Sequence, residues 1–199
     1  IGFTCCLAIV LYVQDELSYE DVHENKSRIF RITTANTFNG EENRYSRTPV
    51  PLGELLKTGT KDVERVGRVA PRGATILIPD SKSKFLEQNF CFADADILSM
   101  FSFKFVNGNA SNALNDVKSA VITDRVAEKY FGSAANSIGK TIVIENRVEL
   151  PITGVVDQWP VTTHWTPGII TPFETYYALE SEGIADNLRS DWMYTSGFT

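Results

Sequence analysis

The chain opens on thirteen residues, IGFTCCLAIVLYV, that contain no charge and no proline. Apolar character then thins abruptly. The stretch QDELSYEDVHENKSRIF is polar and acidic, with Leu17, Val22 and Ile29 as sparse apolar positions. The opening run is shorter than the roughly 20 residues a bilayer crossing takes. On its own it fits a buried helix. As the tail of a longer run it fits the end of a transmembrane helix, with Tyr12 in the interfacial aromatic belt. The second reading is adopted as the expectation: residues 1–18 end a truncated first transmembrane helix and begin a juxtamembrane link. The acidic flank suits the outer side, because Lys and Arg gather on the cytoplasmic side. The run lacks the basic leader and small-residue cleavage site of a signal peptide.

Further along, the period switches repeatedly. RIFRITTANTF alternates and is β-branched, which predicts a strand over 28–38. TPVPLGELLKTGT predicts a helix opened by Pro49 and Pro51, with Leu52, Leu55 and Leu56 on one face. VERVGRVAP predicts a strand. ATILIPD and SKFLEQNFCFAD predict two strands joined by the turn Asp80-Ser81-Lys82. DADILSMFSF predicts a short helix capped by Asp94 or Asp96, and NGNASNALND a turn-rich connection. SAVITD reads as a strand, followed by a helix, RVAEKYF, capped by Asp124 and ended by Gly132. KTIVIE and LPITGVVDQWP read as a hairpin across NRV. Pro172 opens a helix, FETYYALESE, closed by Gly183, and DWMYTSGFT begins a further strand. Strands and short helices interleaved in this order predict an α+β fold with two lobes.

The 199 residues suffice for one large domain or two small lobes, and 43% hydrophobic residues suffice for a core. Net charge is −6, from 19 basic and 25 acidic residues, and no run of Lys and Arg stands out. Nucleic acid is therefore not expected as a partner. Cys5, Cys6 and Cys91 give neither a disulfide framework nor a C-x-x-C metal spacing. His23 and His164 lie far apart in sequence, and a zinc site would need carboxylates or a cysteine brought to them.

One stretch, AANSIGKT, ends in Gly139-Lys140-Thr141 and matches a phosphate loop if Ala134 stands for its first glycine. A phosphate loop follows a strand and opens a helix, so that the helix N-terminus faces the phosphates. Here a helix comes before and the strand KTIVIE after. The stretch is read as a tight turn at Gly139 with Lys140 as a solvated edge charge. Asp94 and Asp96 could form an acid–base pair if buried in a cleft, but need only a backbone N–H to act as caps. His164 could be a base, though a loop histidine beside Trp165 is read as packed or solvated. Trp159 and Trp165 are read as core plugs. No catalytic, cofactor-binding or metal-ligating residue is expected.

Three stretches carry a resemblance. LYVQDELSYEDVHENKSRIFRIT, SAVITDRVAEKYFGSAANSIGKTIVI and ITGVVDQWPVTTH occur in the order found in the external domain of MacB-like and FtsX-like ABC transporter permeases, and the chain resembles that domain over nearly its full length. The resemblance implies a MacB-like periplasmic core domain over 19–199. A porter-like βαβ lobe is expected at about 28–72 and 151–199. A mixed β/α, sabre-like lobe is inserted at about 73–150. It implies a location at the inner (plasma) membrane, with this domain on the periplasmic side. It implies a cytoplasmic ABC ATPase subunit, a second permease protomer, membrane contact through flanking helices, and a periplasmic adaptor or lipoprotein as a further partner. The implied function is non-catalytic: cytoplasmic ATP hydrolysis drives periplasmic export or efflux by mechanical transmission, and Leu17 to Arg28 is the one place for the stiff link this needs. The alternative is a binding module for a lipoprotein, a peptide or a cell-wall hydrolase.

Overall fold

The computed structural model describes residues 2–160 and 162–192. The apolar opening forms helix α1 (Gly2–Leu17), none of whose residues is buried. Its 16 residues make a rod of about 24 Å. No helix among the described residues is long and apolar enough to cross a membrane. The polar segment after it runs through consecutive turns, closing in a 3-10 turn at Lys26–Arg28.

The strand expected over 28–38 is shorter than its pattern. Only Thr34–Phe38 (β1) pairs, with β2 (Glu41–Tyr45), in an antiparallel two-stranded sheet. Strand β2 carries no apolar alternation and escaped the sequence reading. The turn Asn39-Gly40 signals it, with φ of 53° and 85°, the left-handed pair that a two-residue hairpin needs. Residues 28–33 keep their β-branched pattern but find no partner strand among the described residues.

The other nine strands form one mixed sheet. They are β3 (Val69–Pro71), β4 (Ala74–Ile78), β5 (Ser83–Glu87), β6 (Phe90–Ala93), β7 (Phe105–Asn107), β8 (Ala120–Thr123), β9 (Thr141–Ile144), β10 (Val148–Val156) and β11 (Ile169–Pro172). The order is β3-β6-β11-β8-β10-β9-β4-β5, with β7 also on β10. Parallel pairs are β10 with β8 and β11 with β6, and the remaining pairs are antiparallel. The fold is α+β, as the interleaved pattern predicts. Strand β10 is the long one. Through Pro151 it pairs with β9, and from Ile152 onward it pairs with β8. The expected single strand 83–94 is split at Gln88-Asn89, so that β5 pairs with β4 while β6 pairs with β3 and β11.

Burial follows from this layout. Strands β6, β8 and β11 are buried at every position, as expected where both sheet faces are covered. Strand β4 alternates buried and half-buried positions, so one of its faces is wetter. On one face Phe90, Phe92, Ile122, Ile152, Ile169 and Phe173 pack with α4 (Asp124–Phe131), α6 (Phe173–Leu179) and α7 (Glu182–Ser190). On the other, Cys91, Ala93, Val121, Val156 and Ile170 pack under α3 (Ile97–Met100) and the aromatic loop after it.

Several helix ends differ from the sequence reading. Thr123, not Asp124, caps α4, its hydroxyl accepting from Val126 N, and Gly132 ends that helix at φ 79°. Gly183 does not end a helix. The chain breaks at Glu180 and Ser181 and restarts as α7, because Leu179, Ala185 and Leu188 must all reach the core. In α2 (Pro51–Gly59) Leu55 stays exposed and Gly53 is the buried position, where an added Cβ would lie 2.8 Å from the Arg68 side chain. Strands β7 and β11 and the one-turn helix α5 (Ala134–Ser137) are too short to show a period. The strand start expected in DWMYTSGFT lies outside the described residues from 193 onward.

Candidate functional site

The link between α1 and the sheet is fastened to the domain along its length. Helix α1 stops at Leu17, and Ser18 turns back on it, its N–H and hydroxyl both reaching Asp15 O. Glu20 then takes φ 63°, and its N–H donates to Thr162 O at 2.9 Å. The Glu20 carboxylate is shared. Its Oε1 accepts from the backbone N of His164 at 2.8 Å and sits 3.0 Å from His164 Nδ1, while its Oε2 is 3.0 Å from His23 Nε2. Two histidines 141 positions apart in sequence (164 − 23) thus meet at one carboxylate.

They differ in setting. His164 is 74% exposed at its side chain, and its ring lies 4.6 Å from that of Tyr19. His23 is 4% exposed and accepts a hydrogen bond at Nδ1 from Ser102 N, at 3.3 Å. A histidine that accepts at one nitrogen is neutral and carries its proton on the other, so Nε2–H donates to Glu20. Two more bonds tie the link to the end of α3 and the segment after it: Glu24 N to Ser102 Oγ at 2.9 Å and Asn25 Nδ2 to Met100 O at 3.4 Å. Ion pairs Lys26–Asp21 and Arg28–Glu64 complete it at the surface, where such pairs add little stability.

Beneath the link lies an aromatic layer. His23 packs edge-on against Phe101 at 5.0 Å and Trp159 at 6.2 Å, Phe103 against Trp159 at 4.5 Å, and Phe101 against Trp165 at 5.5 Å. Tilted and edge-to-face pairs of this kind hold ring orientation as well as burying area. Trp159 Nε1 donates to Pro167 O at 3.0 Å, which closes the β10–β11 loop on itself. Trp159 and Trp165 are half-buried between link and sheet, and Trp165 packs against the core cluster there. Thr163 in the same loop is buried, and its hydroxyl has no partner among the described residues.

The other residues singled out from sequence lie elsewhere. Neither Asp94 nor Asp96 caps α3 with its side chain. Asp94 instead grips Arg68, accepting from its N at 2.8 Å, Nε at 2.9 Å and NH2 at 2.8 Å. A guanidinium fork within reach outbids a backbone N–H for a carboxylate. Arg68 also lies 4.2 Å over the Phe173 ring. Burial alone would lower the Arg68 pKa, but the hydrogen bond and charge of Asp94 outweigh it and hold it above the ordinary value. Asp96 stays at the surface near Lys57 and Arg65, where an open hollow of about 430 Å³ is lined by charges of both signs. These are structural ties, with no pairing of Asp94 and Asp96 as acid and base.

Gly139 sits at φ 76° in a turn that leads into β9. Its N–H donates to Ile152 O and that of Lys140 to Ser137 O, so both amides are spent within the protein. Lys140 Nζ pairs with Asp80 at 2.8 Å. Cys5 and Cys6 are exposed on α1, and Cys91 is buried, which pushes its thiol pKa well up. Among the described residues no group of three or more His, Cys, Asp or Glu side chains is arranged to hold a metal.

Sequence reasoning located the link but missed its centre. Glu20 and His23 are three apart, a spacing that turns can bring together, yet nothing marks Glu20 among the neighbouring acids. Ser102, Phe101 and Phe103 were read as the end of a helix. The structure ends α3 at Met100, and they turn toward the link.

Comparison with known proteins adds a family. The model of the MacB-like periplasmic core domain matches residues 1–194. No curated protein matches the sequence significantly. Among solved structures, a domain of a putative permease from Porphyromonas gingivalis superposes with a TM-score of 0.64 at 17% identity, covering 79% of this chain and 63% of that one. The periplasmic region of MacB from Actinobacillus actinomycetemcomitans superposes with a TM-score of 0.53 at 11% identity, covering 88% of this chain and 82% of that one. At these identities the two structures show a shared fold.

Proposed function

Because the chain belongs to the family of MacB-like periplasmic core domains, we propose that it is the part of an ABC transporter permease that turns cytoplasmic ATP hydrolysis into movement outside the membrane. The movement would drive export or efflux by mechanical transmission. The observation that supports this reading is the junction. A helix with every residue exposed and an apolar surface runs into a link that is bonded to two separate loops of the domain. A rigid attachment of this kind suits a transmitter of helix motion.

On this reading α1 is the outer end of the first transmembrane helix, and the domain stands on the periplasmic side of the inner (plasma) membrane. ATP is hydrolysed by a separate cytoplasmic subunit or domain, so no catalytic step is assigned here. A second permease protomer and a periplasmic adaptor or lipoprotein are the further partners. The two-lobe division, about 28–72 with 151–199 against about 73–150, is carried as part of the same proposal. The exchange of β10 partners between Pro151 and Ile152 supports the border at 151.

The test is to purify the full permease from its membranes in mild detergent. ATP hydrolysis by a subunit that comes with it or by a domain of the same chain supports the reading, and the repeated absence of both overturns it. The hairpin β1–β2, whose second strand is exposed at every position, favours a second reading as a binding module. Recovery of a lipoprotein, peptide or cell-wall hydrolase in place of the ATPase would establish that reading.

A further inference from the structure

Glu20 is a residue whose backbone and side chain pull in different directions. At φ 63° it holds the left-handed conformation that glycine and asparagine adopt at little cost and other residues resist. Strain of this sort persists where the surroundings over-determine it, and it marks positions worth a functional question. Glycine would relieve the backbone here. What glutamate supplies is its carboxylate, and that carboxylate is fully used. One oxygen holds the backbone N and ring of His164, in the β10–β11 loop, and the other holds the ring of His23.

His23 extends the connection. Its Nδ1 accepts from Ser102 N, in the segment between α3 and β7. A continuous series of polar contacts therefore runs from His164 through Glu20 and His23 to Ser102. It crosses the link and joins two loops on the aromatic face of the sheet. The elements packed on His23 carry Glu20 and Glu24 on the link, Lys104 on the α3–β7 segment, and Asp157 and His164 on the β10–β11 segment. Of these charged or titratable groups Glu20 is in contact with the ring, Lys104 pairs with Asp157 at 3.4 Å, and Glu24 binds Ser102 through its backbone.

The geometry points to Glu20 as the positioning residue of a clasp: its carboxylate fixes the angle at which α1 leaves the domain, by holding the β10–β11 loop directly at His164 and the segment after α3 through His23. Backbone bonds from Glu20 N to Thr162 O and from Glu24 N to Ser102 Oγ keep the link near the domain without the carboxylate. Asn25 Nδ2 to Met100 O does the same further along, and none of these bonds ties the His164 ring to the turn from which α1 leaves. The use of the clasp in transport rests on the permease reading, while its geometry does not.

The experiment uses the full-length permease in lipid nanodiscs with Cys5 and Cys6 changed to serine. Nitroxide labels go on Leu17→Cys and Leu86→Cys, positions 75% and 67% exposed. Cys91 is buried and escapes labelling. With Glu20 in place, the distance between labels is expected to be single and narrow. Glu20→Gly relieves the backbone and removes the carboxylate, and it is expected to broaden the distribution at least twofold while the sheet's unfolding midpoint stays put or rises. Glu20→Gln and His164→Ala broaden it less. Asp21→Asn, on the same turn with its side chain paired at the surface to Lys26, leaves it narrow. A distribution as narrow in Glu20→Gly as with Glu20 in place overturns the clasp. Adding ATP with the ATPase subunit tests the coupling reading separately. If ATP moves neither label while Glu20→Gly still broadens the distribution, the clasp stands and the coupling reading fails.

Discussion

At the scale of residues, the pair Arg68–Asp94 is a buried contact whose disruption should be costly. The side chains are 13% and 11% exposed, and three hydrogen bonds join the two residues. Removing one partner of a buried pair leaves an uncompensated charge, which costs about 3–5 kcal/mol. Asp94→Ala is therefore expected to lower stability to urea by about that amount. A loss below about 1 kcal/mol would mean that water or Glu54 and Glu174, 3.6 and 3.9 Å from Arg68, take over. Cysteine chemistry gives a second residue-scale prediction. The thiolate is the reactive form, and burial drives the Cys91 thiol pKa well up, while Cys5 and Cys6 are exposed. In the folded permease, iodoacetamide at pH 8 should leave Cys91 untouched and reach it only on unfolding, as mass spectrometry of the peptide can check.

At the scale of elements, the link between α1 and the sheet is where the permease reading is most exposed to test. Flexible glycines inserted after Glu20 separate it from His23, which now donates to it from three residues away. The domain should keep its fold, since the core clusters draw nothing from residues 18–28. Coupling should fail: ATP should no longer shift the Leu17-to-Leu86 label distance, and an undiminished shift would show that motion enters by another route. The elements themselves were unevenly legible in the sequence. Strands β4, β8 and β9, helix α4 and the turn at Gly139 are written in short-range patterns and appear where expected. The hairpin strand β2 lacks an apolar face, and β7 and β11 exist because β10 and β8 offer them edges, which is a long-range fact. The division of labour at Asp94 was misread for the same reason. A cap needs only its own helix, while Arg68 lies 26 positions away. The site was legible as a segment, Leu17 to Arg28, and not as a constellation. The meeting of Glu20, His23 and His164 depends on where the β10–β11 loop returns.

At the scale of the whole molecule, the question is whether the proposed lobes move as separate bodies or as one. Strand β10 argues for one. Its first half pairs with β9 and its second with β8, with no break between Leu150 and Ile152, both essentially without solvent contact. The main core holds side chains from both sides of the border at 151: Ile76, Ile142 and Leu150 on one, Ile152, Ile169 and Phe173 on the other. A core shared in this way cannot be lost on one side without exposing the other, so unfolding should be a single cooperative transition. Far-UV circular dichroism, which follows the whole sheet, should coincide with the fluorescence of Trp159 and Trp165 in a Trp192→Phe background, which follows the junction. Leu150→Ala removes a side chain at the border and should destabilise both signals together by about 2–5 kcal/mol. Two resolved transitions would instead mean that the segment from 73 to 150 folds on its own. A lever has to be stiff along its length to pass movement from α1 to its far end. Separate unfolding would place a soft point at Pro151 and shift any transmission onto the lobe that carries the link.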